Sequence, residues 1–166
     1  MKALDKKELK ELLVKCWMTH DGLWFYHCLQ ECGIETTSRI NQAAARAIGT
    51  IEARRIVRAL GLGTIESFEQ LRKLVEDGFQ IVRGDFMDFT HDFSTHNAMH
   101  IETNRCFAFE GITKMGAIEG YDCGIFARMA GWLDGLGIEY EVDPPIEGCM
   151  MHTGGNCHRD FTFHLE

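Results

Sequence analysis

The sequence predicts an α+β domain in which a helical N-terminal half packs on one face of an antiparallel sheet. Three observations carry this expectation. Up to about residue 75 apolar side chains recur at helical spacing, and after Asp77-Gly78 the pattern changes to the alternation and β-rich composition of strands. Residues 106 to 136 return to helical character before two more strand-like runs. A block of helices followed by strands places the helices together on one side of the sheet.

The elements are expected in the following order. From Asp5 to about Trp17, ELKELLVKCW sets leucines and Val14 opposite lysines and glutamates, as in an amphipathic helix. Thr19-His20-Asp21-Gly22 is expected to interrupt it, with Asp21 capping a second helix, LWFYHCLQEC, that ends at Gly33. Thr37 or Ser38 caps a long third helix through NQAAARAIGTIEARRIVRALG, closed by Gly61 and Gly63. Ser67, with Gln70 three residues on, caps another helix to about Val75. FQIVRGDFMDF and AMHIETN are expected strands, GIFARMAGWLDGLG a helix, and IEYEV and FTFHL strands on either side of a Pro144-Pro145 corner.

The 166 residues suffice for one core and are expected to form a single domain, mainly helical over 1–75 and strand-helix-strand over 76–166. A hydrophobic share of 45% and a charged share of 25% are those of an ordinary globular chain. A formal charge of -8 without a basic stripe argues against a nucleic-acid footprint, which needs clustered Lys and Arg. Arg46, Arg54, Arg55 and Arg58 read as a solvated helix face. There is no run of 18 apolar residues and no apolar leader pattern, so neither membrane insertion nor export is expected, and a cytoplasmic location follows.

Seven cysteines in such a chain point to thiols or metal thiolates rather than a disulfide framework. Cys149 and Cys157 have seven residues between them, including Gly154 and Gly155, which suit a sharp reversal between two short strands. Cys123 lies 26 positions earlier, at the start of a helix where a thiolate is stabilised. These three are read as ligands of one zinc ion, which requires a fourth partner. Glu147, His152, His158 and Cys106 are candidates, with Glu147 preferred because it follows the Pro144-Pro145 corner. The alternative from spacing alone is that Cys123 is a small buried residue and the other two are free thiols beside a turn.

The stretch from Asn104 to His164 resembles the 4-vinyl reductase domain in its NRC at 104 to 106, its helix ending GWLDGLG, and the pair Cys149 and Cys157 before an apolar strand. Relatives of that domain occur in bacterial sensors of aromatic compounds and in vesicle-tethering complexes. In the sensors three cysteines and a glutamate hold zinc. The resemblance carries the cysteines to Cys123, Cys149 and Cys157, whereas Ile146 stands where the glutamate would fall, one position from Glu147. The same segment resembles the L-2-amino-thiazoline-4-carboxylic acid hydrolase family. As a whole the chain looks most like bacterial and archaeal proteins of a family of unknown function beside these two, and the analogy implies a homodimer.

His91, His96 and His100 precede Cys106, and on a strand His96 and His100 lie about 13 Å apart, too far to share an ion. His100 and Glu102 share a strand face, where a carboxylate can orient an imidazole. Cys106 is the candidate nucleophile, with His100 as base. Trp17, Trp24, Phe25 and Tyr26, flanking His20 and His27, read as helical core packing, with an aromatic ligand pocket as the alternative, and Cys28 and Cys32 read as core residues. The favoured function is a zinc-stapled domain that binds a small aromatic or heterocyclic ligand in a pocket of His100, Glu102, Phe107, Phe109 and Trp132. The alternatives are a cysteine- or metal-dependent hydrolase of a small cyclic amidine or amide, and an assembly or scaffold protein.

Overall fold

A computed structural model describes residues 2–165. The elements are α1 (Lys6–Ala59), α2 (Phe68–Val82), β1 (Asp88–Asp92), β2 (Ala98–Arg105), α3 (Phe107–Lys114), a 3-10 turn (Ile118–Gly120), α4 (Gly124–Leu136), β3 (Tyr140–Asp143), α5 (Met150–Gly154) and β4 (His158–Phe163). The four strands form one antiparallel sheet in the order β1-β2-β4-β3. The chain is thus α+β, with its helices gathered on one sheet face.

A reciprocal cap starts α1: Glu8 N donates to Asp5 Oδ1 at 2.8 Å, and Asp5 N donates to Glu8 Oε2 at 3.0 Å. The expected interruption at Thr19–Gly22 does not occur. One glycine in a helix costs only about 1 kcal/mol relative to alanine, which burial of Val14 and Phe25 on either side offsets. The helix breaks instead at Gly33, whose φ of 72° and ψ of 171° suit a residue without a Cβ. An arm, residues 6–32, therefore changes direction before the second segment, 34–59. On the arm Leu9, Leu12, Leu13, Leu23 and Trp24 are exposed.

Ser67 caps α2, its Oγ accepting from Gln70 N at 3.4 Å. This helix runs to Val82, seven residues past its expected end, so the strand foreseen from Phe79 starts only at Asp88. The cause is the buried series Leu71, Leu74, Val75, Gly78 and Phe79, which keeps helical spacing to the end. The expected hairpin between Cys149 and Cys157 is also corrected. Cys149 caps the short α5, Gly155 ends it in the left-handed conformation at φ 74°, and β4 pairs instead with β3 and β2.

Alternation divides the sheet into two faces. Phe89, His91, Met99, Ile101, Val142, Phe161 and Phe163 point inward, and Thr90, His100, Glu102, Asp160 and Thr162 point outward. α2 and α4 cover the inner face with Leu71, Leu74, Phe79, Phe126, Trp132 and Leu133. The second segment of α1 then lies against α4.

That crossing is unusually close because glycines form it. Gly49 of α1 rests on the Arg128 carbonyl, Gly131 of α4 rests on the Arg46 carbonyl, and a Cβ at Gly135 would come 2.7 Å from the Thr50 carbonyl oxygen. The freed space is used by polar contacts: Thr50 Oγ1 donates to Gly131 O at 3.1 Å, Arg54 Nε to Gly135 O at 3.0 Å, and Arg46 Nε to Asp134 at 2.6 Å.

Replacing Gly131 by alanine forces the two backbones apart and is expected to cost about 2–3 kcal/mol of stability in urea unfolding. An unchanged midpoint would show that the crossing is loose. His91, on the inner face between Phe79 and Phe93, has its pKa lowered chiefly by burial. The unfolded chain therefore takes up its proton first, and stability falls as pH drops from about 6.5 through the folded pKa. A His91→Phe protein should show a shallower loss of melting temperature between pH 7 and 5 than the natural chain.

A candidate ligand cavity and its cysteine cluster

Cavity walls come from both halves of the chain. Trp17, Trp24 and Phe25 stand on the arm of α1, and Asp21 and Cys28 share their helix face at one-turn spacing. Phe79 of α2, Phe89 of β1, Ile101 and Thr103 of β2, Phe107 of α3 and Trp132 of α4 complete an enclosure of about 620 Å³, a volume typical of small-molecule pockets. Of the aromatic residues of α1, Phe25 is core packing, buried against Ile112 and Tyr121, whereas Trp24 is 62% exposed at the cavity rim. The spacing of Trp17, Trp24 and Cys28 was the available signal, since it puts them on one helix face beside the buried Val14 and Phe25.

One side of the cavity is braced by a nearly enclosed ion pair. Arg128 donates to Glu52 through Nε at 2.8 Å and Nη2 at 2.6 Å, and Trp132 Nε1 donates to the same carboxylate at 2.8 Å. The Arg128 guanidinium also lies 4.5 Å from the Trp17 ring centre, a cation–π contact that ties the arm to α4. Asp21, close to Arg128, has its pKa raised because burial outweighs that attraction.

Cys106 lines this cavity, and Cys123, Cys149 and Cys157 are close enough for their charge to act on Cys106 or on one another. Cys106, Cys123 and Cys149 are the N-cap residues of α3, α4 and α5, and Cys157 directly precedes β4. Antiparallel pairing brings the end of β2 and the start of β4 to the same sheet end, where Thr103 N donates to Cys157 O at 2.8 Å. Asp122 draws the other two in: its N–H donates to Ser38 Oγ at 2.7 Å, and its Oδ1 accepts from Gly148 N at 2.9 Å. The residue before Cys123 is therefore tied both to α1 and to the residue before Cys149. Nothing in the sequence pattern singles out Asp122.

Burial opposes ionisation of three of these thiols. Burial pushes the Cys106 thiol up, and charge on Cys157 or Cys149 adds to the rise, against hydrogen bonds from the Phe109 and Ala108 amides. Burial also pushes Cys123 up to about 12, with charge on Cys106 and Cys157 acting in the same direction. Cys157 rises through burial as well, opposed by Arg159. The buried Tyr121 hydroxyl is raised by burial and by Cys123, Cys106 and Cys149. Cys106, Cys123, Cys157 and Tyr121 therefore hold their protons at neutral pH.

Glu147 is exposed, and its N–H donates to Pro145 O. Among the described residues no three His, Cys, Asp or Glu side chains are set at metal-ligand spacing. His100 and Glu102 lie on the outward sheet face, where His100 Nδ1 meets Asp160 Oδ1 at 2.7 Å, and Phe109 is not part of the cavity wall. Phe107 and Trp132 are.

Removing the carboxylate charge in Glu52→Gln leaves Arg128 unpaired and loosens Trp132. The expected cost is about 2–4 kcal/mol in chemical unfolding, with a displaced Trp132 indole N–H resonance. Unchanged stability and resonance would show the pair to be solvated.

No curated protein and no solved structure matches the chain. Residues 2–83, which contain α1 and α2 and so contribute Trp17, Trp24, Phe25 and Phe79 to the cavity, match a family of unknown function (DUF6125).

Proposed function

We propose that this chain is a zinc-stapled domain that binds a small aromatic or heterocyclic molecule. One observation carries the reading: an aromatic-walled cavity has in its wall Cys106, one of four thiols at element junctions, with Cys157 brought to the same sheet end and Cys123 and Cys149 linked through Asp122. The resemblance of residues 104–164 to the 4-vinyl reductase domain supports it. The donors fit zinc by type and number, as Cys106, Cys123, Cys149 and Cys157, although their side chains are not set at ligand spacing. Zinc, when bound, would supply the positive charge that keeps all four sulfurs ionised and would staple α3, α4, α5 and β4 together.

The hydrolase alternative has less support at Cys106. This thiol faces the cavity, but burial holds it protonated, and His100, the expected base, is on the other side of the sheet. A nucleophile needs a base within hydrogen-bond reach.

Elemental analysis of purified protein is expected to give about one zinc per chain, with a sharp fall in melting temperature on chelation. Cys123→Ser and Cys149→Ser should each lose most of the metal. A Cys149→Ser protein with full zinc content and full stability would rule out the staple.

A further inference from the structure

Three uncharged hydrogen-bonding groups of the cavity, on Thr37, Asn41 and Tyr121, lie together on one wall. Thr37 is 2% exposed, lines the cavity, and its Oγ1 has no hydrogen-bond partner among the described residues. In a regular helix this hydroxyl would donate to the carbonyl four residues back. That residue is Gly33, where the helix breaks, so the break leaves the hydroxyl free. One turn further on, Asn41 lies on the same helix face and also lines the cavity. A Cβ on Gly124 would come 2.6 Å from Asn41 Nδ2 and 3.5 Å from the Tyr121 hydroxyl, so these two groups converge at the start of α4. The Tyr121 hydroxyl accepts from Gly124 N at 3.0 Å, which leaves its own proton to donate.

The charged groups around the cavity already have partners. Arg128 is held by Glu52, Arg105 by Glu110 at 2.6 Å, and Asp88 accepts from Asn104 at 3.3 Å. Arg83 donates to Met87 O at 3.2 Å, with its guanidinium over Phe89. Asp21 stands exposed at the rim beside Arg128. Buried polar groups are normally satisfied, and an orphaned hydroxyl beside a free amide marks where a ligand's polar edge belongs.

We infer that the cavity selects an uncharged ligand whose flat apolar body lies among the aromatic walls and whose edge carries a carbonyl next to an N–H, as in a lactam or carboxamide. Thr37, Asn41 and Tyr121 read that edge. An Asn side chain offers both an acceptor and donors and so complements an amide, and the hydroxyls of Thr37 and Tyr121 supply further donors to its carbonyl. The inference rests on the ligand-binding function proposed for the same cavity.

The test is a titration of the full chain with 2-naphthamide, 2-naphthoate and 2-ethylnaphthalene, followed by the indole N–H resonances of Trp17, Trp24 and Trp132. The amide should bind roughly tenfold or more tightly than the carboxylate, whose charge would lose its water in the cavity. It should bind about three- to tenfold more tightly than the hydrocarbon, which cannot use the polar wall. Thr37→Val should remove that last advantage without lowering the melting temperature, because valine replaces an unpartnered hydroxyl by a methyl group. Asn41→Leu, at a partly exposed position, should do the same. If the naphthoate binds as well as the amide, or if both variants keep the amide's advantage, the assigned ligand class is wrong while the cavity remains a binding site. If none of the three compounds shifts an indole signal, the cavity is not such a site and both proposals fall.

Discussion

The close approach of α1 to α4 through Gly49, Gly131 and Gly135 is the contact on which the rest of the molecule depends. Without Cβ atoms at the crossing, backbone meets backbone, and side chains flanking it reach partners they would otherwise miss. Glu52 can then receive both Arg128 and Trp132, and Arg46 can grip Asp134. Because the second segment of α1 is fixed in this way, the turn at Gly33 sets the direction of the arm. The arm thereby closes one side of a cavity whose other sides are sheet, α2 and α4. Packing of this kind is intolerant of an added methyl group, since a protein interior has no spare volume to absorb it.

The thiols follow from the same architecture at a different level. Each of Cys106, Cys123, Cys149 and Cys157 sits at a junction between elements, three of them where a helix begins. Antiparallel pairing gathers the strand ends, and Asp122 links the junction of α4 to α1 and to α5. Helix amides favour a thiolate at such positions, but enclosure opposes it more strongly, and mutual repulsion adds to that opposition. A cation is the species that would reverse the balance, and this physical argument motivates the zinc proposal independently of any family likeness.

Much of the fold was legible because its signals are local. Alternation over Ala98–Asn104 gave β2, Ser67 gave the start of α2, and Gly33 gave the break in α1. The extra helical turns of α2 were concealed because Phe79, Ile81 and Val82 read equally well as strand, and only the buried partner face decides between the two. The cavity was less legible. Trp132 and Phe107 could be named, but Thr37, Asn41 and Tyr121 acquire their meaning from a helix break and from a contact more than 80 residues away in sequence. His100 and Glu102 share a face as alternation requires, yet which face looks inward is set by tertiary packing. The choice of Glu147 rested on adjacency to Cys149, whereas Cys106, whose thiol is influenced by Cys149, lies 43 residues earlier along the chain.

Native-state hydrogen exchange tests the helix crossing most directly, because it reports how firmly each backbone segment is held. If α1 is pinned to α4 by glycine contacts, the amides of residues 41–56 exchange as slowly as those of residues 127–135 and open together with them. Rapid exchange throughout α1, with α4 and the sheet still protected, would mean that the long helix is only loosely attached, and the cavity would lose its fixed wall.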